Sequence, residues 1–188
     1  MSYRIFTAVD IDPAVQRKVH AAAGGLPVGD ASVNFVAADN IHLTLHFLGE
    51  VEDERLMDVH RAVEQAAAGA GALEFDVVGL RAVPPTGRLR MIWAGVTEPT
   101  GRLAALHKAV GHALQQAGFT TETRPFNPHL TLARVKSARN AEAIRAATAA
   151  QETVLFGTCR AEEIVVYSSQ LTKKGPIYLP MGRAALAG

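Results

Sequence analysis

The tetrad His42-Leu43-Thr44-Leu45 recurs unchanged as His129-Leu130-Thr131-Leu132, an offset of 87 residues from 42 to 129 in a chain of 188. Each copy alternates polar and apolar residues and is rich in β-formers. Each therefore reads as a half-buried strand whose successive side chains point to opposite faces. His and Thr then share one face, and the two leucines of each copy point into a core. The repeat predicts two strands presenting one His-x-Thr pair each to a common groove. Two copies at half-chain spacing point to two similar lobes, not to a solenoid, which needs at least three repeats.

The remaining chain supplies elements to surround such strands. Residues 3–9 read as a strand, and Asp12-Pro13 opens a helix to about Ala23, with Asp as N-cap and Pro at the first helical position. A short strand at 33–36 precedes the first motif strand, 40–48, which Gly49 ends. Leu56, Val59, Val63 and Ala67 mark an amphipathic helix over 53–68. Residues 73–83 and 89–96 flank Pro84-Pro85-Thr86-Gly87 and predict a hairpin, with Trp93 as a core residue of its second strand. A helix runs from Thr100 to Gly118, with Leu103, Leu106, Val110 and Leu114 on one face. After the second motif come a helix over 138–150 and strands at 154–156, 162–167 and 177–181. The expected fold class is α+β: a single bilobal domain over residues 1–188, each lobe an antiparallel sheet backed by helices, pseudo-twofold about a central groove.

With 48% hydrophobic residues the chain can bury a sizeable core. It holds no run of about 20 apolar residues to span a membrane and no apolar leader before Asp10 and Asp12, so a cytoplasmic protein is expected. Cys159 is the only cysteine, which excludes an intramolecular disulfide and a cysteine-based zinc site and suggests a small buried hydrophobe. The 19 basic and 18 acidic residues leave a net charge of +1, without the broad basic field of a protein that tracks long nucleic acid. A local basic site stays open, because Arg88, Arg90, Arg134, Lys136, Arg139, Lys173 and Lys174 fall in three short stretches.

Two His and two Thr in one groove suit displacement at a phosphate. One imidazole can take a proton while the other gives one, since histidine is the side chain that holds both states near neutrality. The threonine hydroxyls can donate to the nonbridging oxygens as charge builds. Arg134 could add a bidentate fork, although strict alternation puts it on the face opposite Thr131 unless the strand twists or bulges. No carboxylate adjoins either motif in sequence, so neither a metal nor another cofactor is expected. Alternation places His46 on the face of His42 as a possible third site residue, without a counterpart because position 133 is Ala. Phe47, Tyr167 and Phe126 are either core residues or platforms for a base. His20, His60, His107 and His112 read as surface residues.

These motifs and their flanks resemble the 2H phosphoesterase superfamily, and within it the RNA 2′,3′-cyclic phosphodiesterases once called 2′-5′ RNA ligases. The likeness covers nearly the whole chain: Arg4 to Asp10, His42 to Glu50, Pro128 to Arg134, and Tyr167 to Leu171 with Gly175 and Tyr178. It implies metal-independent opening of a 2′,3′-cyclic phosphate to a 2′-phosphate, on RNA ends or small cyclic nucleotides. His42 would be the proton donor to the leaving 3′-oxygen and His129 the acceptor that activates water. Thr44, Thr131 and Arg134 would bind the phosphate, and the strand of Trp93 would lie beside the site. Ligation or cleavage of 2′-5′ linkages would use the same groups. A noncatalytic nucleotide- or RNA-binding module would not require two titratable imidazoles. No obligate protein partner is inferred.

Overall fold

Asp12 caps the first helix as its sequence dictates. Its carboxylate accepts from the Ala14 N–H at 2.7 Å, and Pro13 takes the first helical position, where a missing N–H costs nothing. The computed structural model describes residues 1–172 and 175–187, so the basic pair Lys173-Lys174 lies outside the described residues. The elements run β1 (Ser2–Asp10), α1 (Pro13–Gly24), β2 (Ser32–Phe35), β3 (His42–Glu52), α2 (Leu56–Ala68), β4 (Leu73–Val83), β5 (Met91–Thr97), α3 (Arg102–Gln116), β6 (His129–Ser137), α4 (Ala141–Ala149), β7 (Leu155–Ala161), β8 (Glu163–Thr172) and β9 (Gly175–Ala185). The expected elements are present, with shifted ends. β7, β8 and β9 run several residues longer than their apolar cores suggested, because β7 forms a ladder along the longer β4, and β8 and β9 extend each other by pairing along their whole lengths.

The class is α+β. Nine described strands form one continuous sheet in the order β7-β4-β5-β6-β3-β1-β8-β9, with β2 added on β6, and every named strand pair is antiparallel. The motif strands β3 and β6 sit side by side at the centre, so four strands on the main path lie in each half. α2 and α3 pack on one another and on the half holding β3, β8 and β9, while α1 and α4 serve the half of β6, β7 and β4. The halves are not the consecutive segments that a simple restart of element order suggests. β8 and β9, from the end of the chain, complete the half of the first motif, and α1, from its beginning, covers the second. The chain crosses between halves because β8 pairs with β1 and not with β7.

Leu43, Leu45, Leu130 and Leu132 all lie in the core, at most 5% exposed, as the alternation requires. Cys159 is buried there too. No helix among the described residues is long and apolar enough to cross a membrane.

Candidate active site

β3 and β6 touch through one described pair, Leu43 with Leu130. Antiparallel register through that pair sets His42 opposite Thr131 and Thr44 opposite His129. The two histidines are then diagonal neighbours, about 7–8 Å apart between Cα atoms in a regular ladder and farther where the strands part. The four motif residues thus share one face at the centre of the sheet, where the sequence placed them.

Each imidazole is fixed in the same way. His42 Nδ1 lies 2.8 Å from the Asn40 carbonyl and His129 Nδ1 lies 2.8 Å from that of Asn127. A carbonyl can only accept, so Nδ1 carries the hydrogen, and each Nε2 is the nitrogen left to exchange a proton. Neither Nε2 has a hydrogen-bond partner among the described residues. The asparagines stand two residues before each histidine and repeat the offset of 87. The motif is therefore Asn-x-His-x-Thr, a signal present in the sequence that the shorter pattern missed.

Aromatic rings hold both imidazoles from behind. Phe6 stacks on His42 at 4.8 Å between centroids, with Tyr178 edge-on to His42 at 5.2 Å, and Trp93 stacks on His129 at 3.6 Å. Trp93, expected in the core, thus serves the site directly. Burial lowers the pKa of His42, while the Asn40 carbonyl and the charge of Asp10 raise it in part. Burial likewise lowers that of His129, with only the Asn127 carbonyl opposing. Asp10 is the cross-strand partner of His42, where Gly95 occupies the same place against His129. A carboxylate therefore does adjoin the first motif, brought by strand pairing and not by sequence proximity. Asp10 accepts from the Tyr167 hydroxyl at 2.7 Å and pairs with Arg183 at 3.5 Å, so Tyr167 serves as a support to the acid. Among the described residues no three His, Cys, Asp or Glu side chains gather as a metal set.

Both motif strands bulge at the same residue. In β3 the ladder with β1 steps from Ala8–Thr44 to Thr7–His46, leaving Leu45 as the extra residue. In β6 the ladder with β5 steps from Trp93–Thr131 to Ile92–Ala133, leaving Leu132 extra. A bulge of this kind shifts the alternation by one. Arg134 consequently joins Thr131 on the groove face, which simple alternation denied it. By the same shift Phe47 turns to the groove and is 54% exposed, while His46 turns inward and is 3% exposed.

His46 is therefore no third site residue, contrary to the alternation. Its ring stacks on His107 at 4.1 Å, which stacks in turn on Phe126 at 3.9 Å, and its Nε2 donates to the His107 carbonyl at 2.8 Å. His107, expected at the surface, is half-buried in this stack. Burial and the neighbouring His46 push its pKa down to about 4, against a backbone hydrogen bond to Leu45 and the charge of Glu122. Phe126 is thereby committed to packing, one residue before the carbonyl that holds His129.

A groove of about 580 Å³ opens over this face, and the residues that border it include His42, Thr44, Thr131, Arg134, Phe35 and Phe47. None of the described residues that line it is acidic. His129 does not border that hollow; it stands two residues before Thr131 on the same strand face, at the other end of the motif. Arg134 lies near enough to Tyr178 to lower the phenol's pKa in part, though burial raises it overall. The arrangement offers two proton carriers, two hydroxyl donors and one guanidinium around a space that favours an anion.

Comparison with known proteins agrees with this geometry. Residues 12–172 match the model of the 2′-5′ RNA ligase superfamily. The chain is 32% identical over 181 residues to the RNA 2′,3′-cyclic phosphodiesterase of Methanothermobacter thermautotrophicus, covering 96% of this chain and 97% of that one. It is 34% identical over 175 residues to the enzyme of that name from Archaeoglobus fulgidus, covering 93% and 96%. The crystal structure of Escherichia coli LigT complexed with 3′-AMP is similar over the whole of both chains, with TM-score 0.80 and 25% identity. The chain belongs to the 2′-5′ RNA ligase superfamily of 2H phosphoesterases.

Proposed function

We propose that this protein is an RNA 2′,3′-cyclic phosphodiesterase, a hydrolase that opens the cyclic phosphate at RNA ends or in small cyclic nucleotides to a 2′-phosphate without a metal. The observation that carries the reading is the pair of His-x-Thr motifs locked alike by Asn40 and Asn127 and meeting at one ladder pair beside an acid-free groove. His129 Nε2 takes a proton from water as the water oxygen bonds to phosphorus. The bond from phosphorus to the 3′-oxygen breaks, and His42 Nε2 gives that oxygen its proton. Asp10 beside His42 supports this division, because a carboxylate stabilises the protonated imidazole. Thr44 and Thr131 donate to the nonbridging oxygens, and Arg134 supplies the compensating charge. The reading treats residues 1–188 as one bilobal domain and places it in the cytoplasm, in keeping with a single, buried cysteine.

The test is product analysis with 2′,3′-cyclic AMP in the presence of EDTA. Turnover to the 2′-phosphate is expected. Retention of the nucleotide without turnover would mark a binding module, and loss of activity restored by one divalent ion would overturn the metal-free mechanism.

A further inference from the structure

Asn40 and Asn127 hold their histidines alike through the carbonyl, and they differ in the side chain. The Asn40 amide donates to the Pro176 carbonyl at 3.0 Å, 136 residues away on β9. Asn127 is exposed, and among the described residues its side chain makes no hydrogen bond. The strap that carries Asn40, residues 36–41, is fastened to β6 and α1, in the other half of the sheet from β9. There the Val36 N–H donates to the Leu132 carbonyl at 2.8 Å, His20 Nδ1 to the Val36 carbonyl at 3.0 Å and Gln16 Nε2 to the Ile41 carbonyl at 2.9 Å. Val36, Ala37 and Asn40 border the groove from the strap, and Pro176 and Tyr178 border it from β9. The Asn40 side chain therefore joins two pieces of groove wall, one held by each half.

Ala38–Asn40 is a single 3₁₀ turn, with poorer hydrogen-bond geometry than an α-helix. Such a turn does not by itself fix the direction of its last carbonyl, and that carbonyl is the one that orients His42. Direction matters more for the acid than for the base. The base takes its proton from water, which can move to meet it, whereas the acid must deliver a proton to a 3′-oxygen held covalently in the substrate. We propose that Asn40 is a positioning residue: its side chain latches the strap to β9 across the groove, and through its own carbonyl that latch aims His42 Nε2 at the leaving oxygen. Tyr178, two residues beyond Pro176 on β9, lies edge-on to His42 at 5.2 Å. The latch thus fixes, relative to each other, the carbonyl and one of the rings that touch the imidazole. The assignment rests on the phosphodiesterase reading above, which gives His42 the part of the acid.

Asn40→Ala removes the latch and keeps the carbonyl. With 2′,3′-cyclic AMP it should lower kcat by about ten- to a hundredfold, the scale of a misplacement of about 1 Å, with KM little changed. With the analogue that carries sulfur as the 3′ bridging atom, whose thiolate departs without a proton, kcat should stay near that of the parent. In a His42→Ala background Asn40→Ala should cost little more, because the two act as a unit. Asn40→Ser, with a side chain too short to reach Pro176, should repeat the pattern, and urea unfolding shows that each variant is folded. An unchanged kcat, equal losses on both substrates, or a full further loss in the His42→Ala background would overturn the latch. Nitrogen–proton spectra of the imidazoles read it apart from activity: the His42 Nδ1 proton should exchange faster with water in both Asn40 variants, and the His129 Nδ1 proton should not. Failure of the unaltered protein to hydrolyse cyclic AMP would strike the phosphodiesterase reading, and unchanged exchange at His42 would overturn the latch by itself.

Discussion

Beside His42 the neighbouring strand offers Asp10, and beyond the bulge stand His46 and Phe47; beside His129 the same positions hold Gly95, Ala133 and Arg134. The repeated features are those an in-line displacement needs on both sides of phosphorus: an imidazole with its tautomer set by a carbonyl, a hydroxyl, and a bulge that turns the next residues. The unrepeated ones correspond to needs that arise on one side only. In the proposed reaction a carboxylate would bias one imidazole toward its protonated form, a guanidinium would meet the charge from one strand, and an exposed ring would face it from the other. Near-symmetric chemistry would then take its direction from the surroundings of the motif.

The sharpest way to break this comparison is to remove the repeated parts. His42→Ala and His129→Ala should each lower turnover at least about a hundredfold, the low end for a general acid or base. The double variant should be little worse than either, because the pair acts as a unit. A leaving group that departs without a proton should rescue the loss of the acid and not of the base. Rescue of His129→Ala alone would reverse the roles.

Exchanging the unrepeated residues should separate charge from stacking. Arg134→Ala should reduce kcat by about ten- to a hundredfold, the range of a charge-assisted hydrogen bond. Phe47→Ala should raise KM about tenfold with kcat little changed, in the range for loss of one base–aromatic contact. Equal effects of both on kcat would erase the distinction between the two sides.

A smaller effect concerns pH. Both imidazoles are lowered from 6.5, so the bell of kcat/KM in the free enzyme should centre below pH 6.5, with limbs that belong to the pair. Asp10 raises His42, so Asp10→Asn should move the alkaline limb to lower pH, provided His42 is the acid. An unmoved alkaline limb with a shifted acid limb would make His42 the base.

The least effect on activity, and a visible one on stability, belongs to the histidine stack. His107 has its pKa lowered to about 4 in the fold against 6.5 when free, so the unfolded chain binds the extra proton between those values. Its contribution is complete above 6.5 and is lost as pH falls toward 4. Urea unfolding should show that decline, and His107→Phe should reduce it. An unchanged pH dependence in the variant would place the titration elsewhere.

Much of this site is legible in sequence, because His42, Thr44, His129 and Thr131 precede the bulge in their strands and obey a period of two. His46, Phe47 and Arg134 follow it. A bulge formed by a leucine between other β-formers leaves no mark in composition, so alternation sent His46 to the groove and Arg134 away from it. Asn40 and Asn127 were legible and lay just outside the pattern. Asp10 was not, since its place beside His42 comes from the pairing of β1 with β3. The interleaving of the halves was hidden for the same reason: which strand β8 joins depends on edges that only the assembled sheet presents.

The paired bulges also reverse a common expectation about strand length. Deleting one residue from a strand ordinarily moves everything beyond it to the wrong side of the sheet. Without Leu45, however, His46 would still meet Thr7 and Phe47 would still meet Phe6, and without Leu132, Ala133 and Arg134 would keep Ile92 and Met91. The phase on either side is already that of a strand one residue shorter. A deletion here would be felt as a missing core leucine, on the order of 2–5 kcal/mol if its volume is left unfilled, and as the loss of the Leu132 carbonyl that now receives the Val36 N–H at 2.8 Å. In each motif strand, then, the fourth letter is a spacer that could be dropped without changing which side any later letter is read from.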